Sequence, residues 1–309
     1  MSRRFSTIIP VIGFCLLPTV VLSQTAPKAT TAEKSVIAKV EPAKTTASTP
    51  ATPANFATTA TPVVASAALQ KGLKALDERK FEAALKIFND AYAAGEADGA
   101  FYLGRMVELG VGMQADFEKA RILYLAAADK GSAKALNRLG LMHYRGEKVL
   151  QDYAVARELI CKSADAGDSD AAFNCGGIIA EGKGAPKDVP KALSYFQVAA
   201  GKGHIGALNA LGFAYRDGLA GTQDLAKAQS HFEKAAAKGN PVALFEMATM
   251  FESGQPVARD LSKAHLYYNL ASARQHPNAS EALQRVSTLM TNDQIEAAQA
   301  TAKTWKSMN

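Results

Sequence analysis

Cysteine, histidine and tryptophan are scarce in this chain, which has three, five and one of them in 309 residues. His143, His204, His231, His265 and His276 are dispersed over different repeats and no H-E-x-x-H occurs, so the spacing of a zinc site is missing. Neither a metal nor a cofactor is expected. S-x-x-K with a companion K-T-G is also absent, which argues against penicillin-type acyl-enzyme chemistry. GVGMQA at 110–115 has the glycines of a phosphate loop, but it follows a helical pattern where such a loop must follow a strand. Clustered basic charge is lacking too. The formal charge of +6 falls to near +2 over the folded part, once Arg3, Arg4 and the net charge of residues 24–62 are set aside. The remaining basic side chains are interleaved with acids, so nucleic acid is not an expected partner.

No apolar run reaches the roughly 20 residues of a membrane helix. The stretch from about Ile8 to Leu22 is shorter, carries Pro10, Gly13 and Pro18, and follows Arg3 and Arg4. With Val21 and Ser23 placed before a cleavage point, residues 1–23 read as a Sec-type signal peptide, which leaves no membrane span after its removal. Phe14 before Cys15 does not suit a lipobox. Residues 24–63 are almost entirely Ala, Thr, Pro, Ser and Lys, too poor in apolar surface to offset the entropy of ordering, and read as a disordered linker. A periplasmic or secreted protein is expected.

What the chain does have is a period of 36 residues. Gly95, Gly131, Gly167, Gly203 and Gly239 mark it, and Asp116, Asp152, Asp188, Asp224 and Asp260 keep step, as do Ala120, Ala156, Ala192, Ala228 and Ala264. Two further columns are Gly104, Gly140, Gly176, Gly212 with Ala248, and Gly110, Gly146, Gly182, Gly218 and Gly254. Such periods mean solenoids or arrays. Each aspartate precedes a helical pattern and suits an N-cap, where its carboxylate accepts otherwise unpaired backbone N–H groups. Each glycine at the repeat end suits a left-handed residue just past a helix. Between them lies helix B, with a small–aromatic–small stripe such as Ala120, Tyr124 and Ala127. Helix A, before the aspartate, has a stripe such as Leu136, Leu139, Gly140 and His143, whose glycine lets the two helices approach closely. The unit is therefore a helical hairpin that must stack on its neighbours to bury its stripe.

The reading gives an all-α solenoid: a capping hairpin at 64–95, repeats at 96–131, 132–167, 168–203, 204–239 and 240–272, and closing helices at 273–309. Ala84, Phe88 and Ala91 stand 36 residues before Ala120, Tyr124 and Ala127 and mark the first cap. Thr291 with Gln294 predicts a capping box before the last helix, and Trp305 is expected to pack on the last repeat.

Quoted as they stand, residues 103–131 give LGRMVELGVGMQADFEKARILYLAAADKG and residues 211–239 give LGFAYRDGLAGTQDLAKAQSHFEKAAAKG. These resemble the SEL1-like repeat family, over roughly residues 97–272. Cys175 in place of Leu, Ala180 near an expected aromatic, and Ala248 in place of Gly depart from its pattern. The resemblance implies a right-handed superhelix of antiparallel helix pairs and a non-enzymatic adaptor role, often in bacterial envelope signalling or assembly. It implies a protein or peptide partner, such as an envelope sensor or assembly component. A monomer is expected. The alternative is a cell-wall ligand binder or hydrolase acting on peptidoglycan or recognising β-lactam-like compounds.

In arrays of this kind helix A lines the concave surface. The positions off its packing stripe are Phe101, Arg105, Asn137, Leu141, Tyr144, Arg145, Phe173, Asn209, Phe213, Arg216 and Phe245, a set that could grip a peptide through aromatic area, amides and guanidinium groups. A second reading has the phenylalanines packing between neighbouring A helices and the polar residues merely solvated. Cys161 and Cys175 lie on helix B of one repeat and helix A of the next. They allow a disulfide, but the outward register of Cys161 favours free thiols.

Overall fold

The structure, a computed structural model, describes residues 66–219 and 221–307. The expected signal peptide and linker lie outside the described residues. Fourteen α-helices and no strand are found among those residues. α1 (Ala67–Asp77) and α2 (Phe81–Ala93) form the first hairpin. The repeat copies then follow in sequence: α3 (Ala97–Leu109) with α4 (Phe117–Asp129), α5 (Ala133–Arg145) with α6 (Tyr153–Asp165), α7 (Ser169–Glu181) with α8 (Val189–Gly201), α9 (Ile205–Arg216) with α10 (Leu225–Ala237), and α11 (Pro241–Ser253) with α12 (Leu261–Ala273). α13 (Ala279–Ser287) and α14 (Asn292–Thr304) both pack on α12. The fold is an all-α solenoid of consecutively packed helix pairs.

Two compact units make up the described chain. One runs through α1–α6 and α7 as far as Ile178, with the turn Gly182–Pro186; the other takes Ile179–Glu181 and everything from Lys187 onward.

Caps explain why the helices begin where they do. Asp116, Asp188, Asp224 and Asp260 each accept the backbone N–H three residues ahead, and Asp152 accepts two, from Ala154 and Val155. A second cap column was not read from the sequence. Ser132, Asp168, His204 and Asn240 start the A helices by accepting from Ala135, Ala171, Ala207 and Ala243. Its residue type changes in every copy because any short acceptor fits an N-cap, so no constant letter betrays it. The glycines at the repeat ends have φ between 76° and 94°, a left-handed conformation that a Cβ would strain.

Within the hairpins α1–α2, α3–α4, α5–α6, α9–α10 and α11–α12 the helix-B stripe is buried against helix A. Phe88, Tyr124, Ile160, Phe196, Phe232 and Tyr268 fill the aromatic register, and all are buried. Burial of such a side chain stabilises by about 1.5–3 kcal/mol. The column of small residues on helix A makes this possible: a Cβ on Gly212 would lie only 2.5 Å from the Phe232 ring. The first hairpin uses the same device, with Gly72 under Phe88. At the other end the capping box of Thr291 and Gln294 is formed, and Trp305 packs on the last repeat with Arg274 over its ring at 4.7 Å.

Candidate functional site

The expected partner-face residues fall in both units. In the first, Phe101 is half-buried, its ring 5.8 Å from that of Tyr124 and 5.2 Å from that of Tyr102. Arg105 pairs with Glu108 at 2.7 Å. Asn137 accepts from the Asn174 amide at 3.2 Å, joining α5 to α7. Leu141 is half-buried, and Arg145 is exposed and pairs with Glu147 at 3.0 Å. Tyr144 is buried. Its hydroxyl accepts from Lys183 Nζ at 2.5 Å, and its ring lies edge-on to Tyr153.

A carboxylate the sequence reading passed over is the hub of this face. Glu108, at the end of α3, accepts from the Tyr124 hydroxyl on α4, from Arg105 on its own helix and from the Arg138 guanidinium on α5, which also pairs with Glu147 at 2.7 Å. Burial opposes ionisation of Glu108, but the hydrogen bonds and charge of Arg138, with the Tyr124 hydroxyl, outweigh it and hold the carboxyl below the usual range. A carboxylate so fully engaged is a weak base. It ties neighbouring helices together rather than moving protons.

In the second unit, the Asn209 amide donates to Asn240 at 2.9 Å. Phe213 is half-buried and edge-on to Phe232 at 5.1 Å, with the Arg216 guanidinium over its ring at 4.7 Å. Arg216 pairs with Asp217 at 2.7 Å and with Glu246 of the next A helix at 3.0 Å. Phe245 lies 5.3 Å from Tyr268 and stacks on His276 at 4.2 Å. Glu252 on α11 repeats the role of Glu108. It accepts from Tyr268 at 2.6 Å and from Arg285 on α13 at 2.7 Å.

Three expectations need correction. Tyr144, expected on the partner face, is buried at 8% exposure, and its hydroxyl is taken by Lys183 within the protein. Phe173 is only 3% exposed, so its ring is part of the interior and offers a partner no surface. It lies in an unbroken buried stretch, Ala171–Ile179, that the stripe pattern of the other A helices does not foreshadow. Cys161 and Cys175, expected as free thiols, form a disulfide with Cα atoms 5.0 Å apart. The half-buried position of Cys161 faces α7 closely enough for its sulfur to reach the interior one of Cys175, a matter of how the two helices meet rather than of register within either. The rings of Phe101, Phe213 and Phe245 lean on helix-B rings of their own repeats. Leu141, Arg145 and Arg216 keep solvent-facing area.

A family model described as Sel1 repeat matches five consecutive segments, residues 97–132, 133–168, 169–204, 205–240 and 241–276. The fold is similar to the crystal structure of a Sel1 repeat protein from Oxalobacter formigenes, which is 25% identical with a TM-score of 0.65 over 76% of this chain and 98% of that one. It is similar too to a protective antigen present in uropathogenic Escherichia coli strains and displaying an SLR fold, 23% identical with a TM-score of 0.61. That match covers 76% of this chain and 52% of the antigen, so the chain spans about half of its length. No curated protein matches the chain.

Proposed function

The chain belongs to the Sel1 repeat family, and from that premise we propose that it is a non-enzymatic adaptor which binds a protein or peptide along the exposed edges of its A helices. Repeats of this family generally mediate protein–protein interaction and are typically non-catalytic. The observation that carries the reading is a contrast between columns. Positions that serve stacking keep their type in every copy: the capping aspartates, the buried alanines and the helix-A glycines with Ala248. The position after that glycine does not, running Arg105, Leu141, Phe213 and Thr249, with Gly177 in the third copy lying inside the buried stretch of α7. Stacking alone would draw these toward one another, as it has the framework. Variation on a constant scaffold is what a face shaped by something outside the scaffold would retain.

The amino-terminal pattern of Arg3, Arg4 and the apolar stretch to Leu22 supports export, and so a partner in the bacterial envelope or outside the cell. No helix among the described residues is long and apolar enough to cross a membrane.

The test is in-cell crosslinking of the exported protein, comparing wild type with the double variant Leu141→Ala and Arg145→Ala, whose side chains are not in the core. One envelope protein recovered by wild type and lost with the variant supports the adaptor. Equal recovery would move the partner off this edge, and retention of both proteins on peptidoglycan or acylation by a labelled β-lactam would replace the adaptor with a cell-wall function.

A further inference from the structure

α7 departs from the other A helices in three ways at once. Its sequence, SDAAFNCGGIIAE, has two adjacent glycines, Gly176 and Gly177, in its interior and two β-branched residues after them. Each of these lowers helix propensity relative to Ala or Leu. In every other copy the second glycine position holds a side chain: Arg105, Leu141, Phe213 or Thr249. The core position occupied by Leu103, Leu139, Leu211 and Met247 is filled in α7 by the smaller Cys175, which is fully buried. Weak propensity and a reduced core side chain therefore coincide with the disulfide that ties α7 to α6.

We propose that the Cys161–Cys175 disulfide is a redox latch on α7: oxidised it holds the helix in place, and reduced it lets α7 open locally while the flanking hairpins stay folded. The bridge closes a short loop, 14 residues in sequence separation, so in the opened state it removes much of the chain freedom that opening would gain. The chemistry is ordinary thiol–disulfide exchange with a dithiol reductant. A thiolate of the reductant attacks the sulfur of Cys161, which is only half-buried, and the electron pair of the S–S bond leaves with the fully buried Cys175 sulfur. The second thiolate of the reductant then displaces Cys161. Two electrons pass to the protein, each released thiolate takes a proton, and the reductant ends as a disulfide.

Hydrogen exchange of the full-length protein, read by mass spectrometry with and without dithiothreitol, tests this. Reduction is expected to speed exchange in peptides from residues 169–181 by on the order of a hundredfold, the effect of closing a loop of this size. Peptides from α3 and α11 are expected to stay unchanged. Cys161→Ala, which puts no new polar group in the core, should show the fast α7 exchange with or without dithiothreitol. Equal α7 exchange in oxidised and reduced wild type would overturn the latch, and so would acceleration spread evenly along the chain. Should the variant fail to fold, the reduced wild type alone still decides.

Discussion

The hydroxyl of Tyr268 donates to the carboxylate of Glu252 across the hairpin of the fifth repeat, at 2.6 Å. The same pair, Tyr124 on Glu108, recurs at the same registers in the first repeat. Between them the helix-A position holds Tyr144, Ala180 and Arg216, and there helix B presents Ile160, Phe196 and Phe232, with no hydroxyl. The hydroxyl thus occurs only where a carboxylate waits for it. This is the economy expected of a buried polar group, which costs stability unless it is paired.

Removing that hydroxyl tests the pairing. Burial and the Glu252 hydrogen bond push the Tyr268 phenol up to about 12, so it stays a donor throughout the physiological range. Tyr268→Phe is expected to cost about 1–2 kcal/mol in urea unfolding, because Glu252 loses a partner while Arg285 remains. No loss would show the carboxylate is satisfied by the guanidinium alone.

Glu108 makes the array sensitive to acid. Its carboxyl is held below the usual range in the fold, so its contribution is complete above the unfolded value near 4.5 and is lost as pH falls through the folded one. Glu108→Gln should lower stability at neutral pH, and the difference from wild type should narrow as pH falls below the ordinary carboxylate range and through the lowered folded value, beneath which both side chains are uncharged. A difference that stays constant with pH would assign the role to shape rather than charge.

His265 adds a second, milder limb. It is 1% exposed on α12, its Nδ1 has no hydrogen-bond partner, and burial lowers its basicity. The unfolded chain takes up a proton below about pH 6.5 that the folded chain resists, so stability is full above that pH and declines below it. Leu193 fills the same register two repeats earlier. His265→Leu is therefore expected to keep the packing and flatten the decline between about pH 6.5 and 5, by at most about 1.4 kcal/mol per pH unit.

Gly212→Ala probes the close approach of helices A and B. The added methyl would meet the Phe232 ring within 3 Å, and a loss of about 1–3 kcal/mol is expected from thermal or urea unfolding. Ala248 stands at this register opposite Tyr268, so the hairpin should survive the change with its ring displaced rather than fail to form.

Phe173→Ala separates core from surface on α7. With the ring buried, a loss of about 3–5 kcal/mol is expected, whereas a side chain on a partner-facing edge would cost little.

The 36-residue columns by themselves determined the hairpin, the start of helix B and its end, because caps and left-handed glycines act within three or four residues of chain, whereas the changing caps that start helix A left no column to read. Asp188 with the amide of Lys191, or Gly203 at the end of α8, carries its physics in its own neighbourhood. The glycine column was equally legible, since close approach demands the same small residue in each copy. Tertiary structure alone decided what happens between residues 14 to 39 apart. Examples are the bond of Cys161 to Cys175, the meeting of Glu108 with Tyr124 and Arg138, the grip of Lys183 on Tyr144 and the burial of Phe173. Such pairings depend on how far each helix is rotated about its axis against the next. A rotation of a few tens of degrees exchanges an inward position for an outward one while leaving the repeat unchanged, so the periodicity that reveals the fold does not fix them.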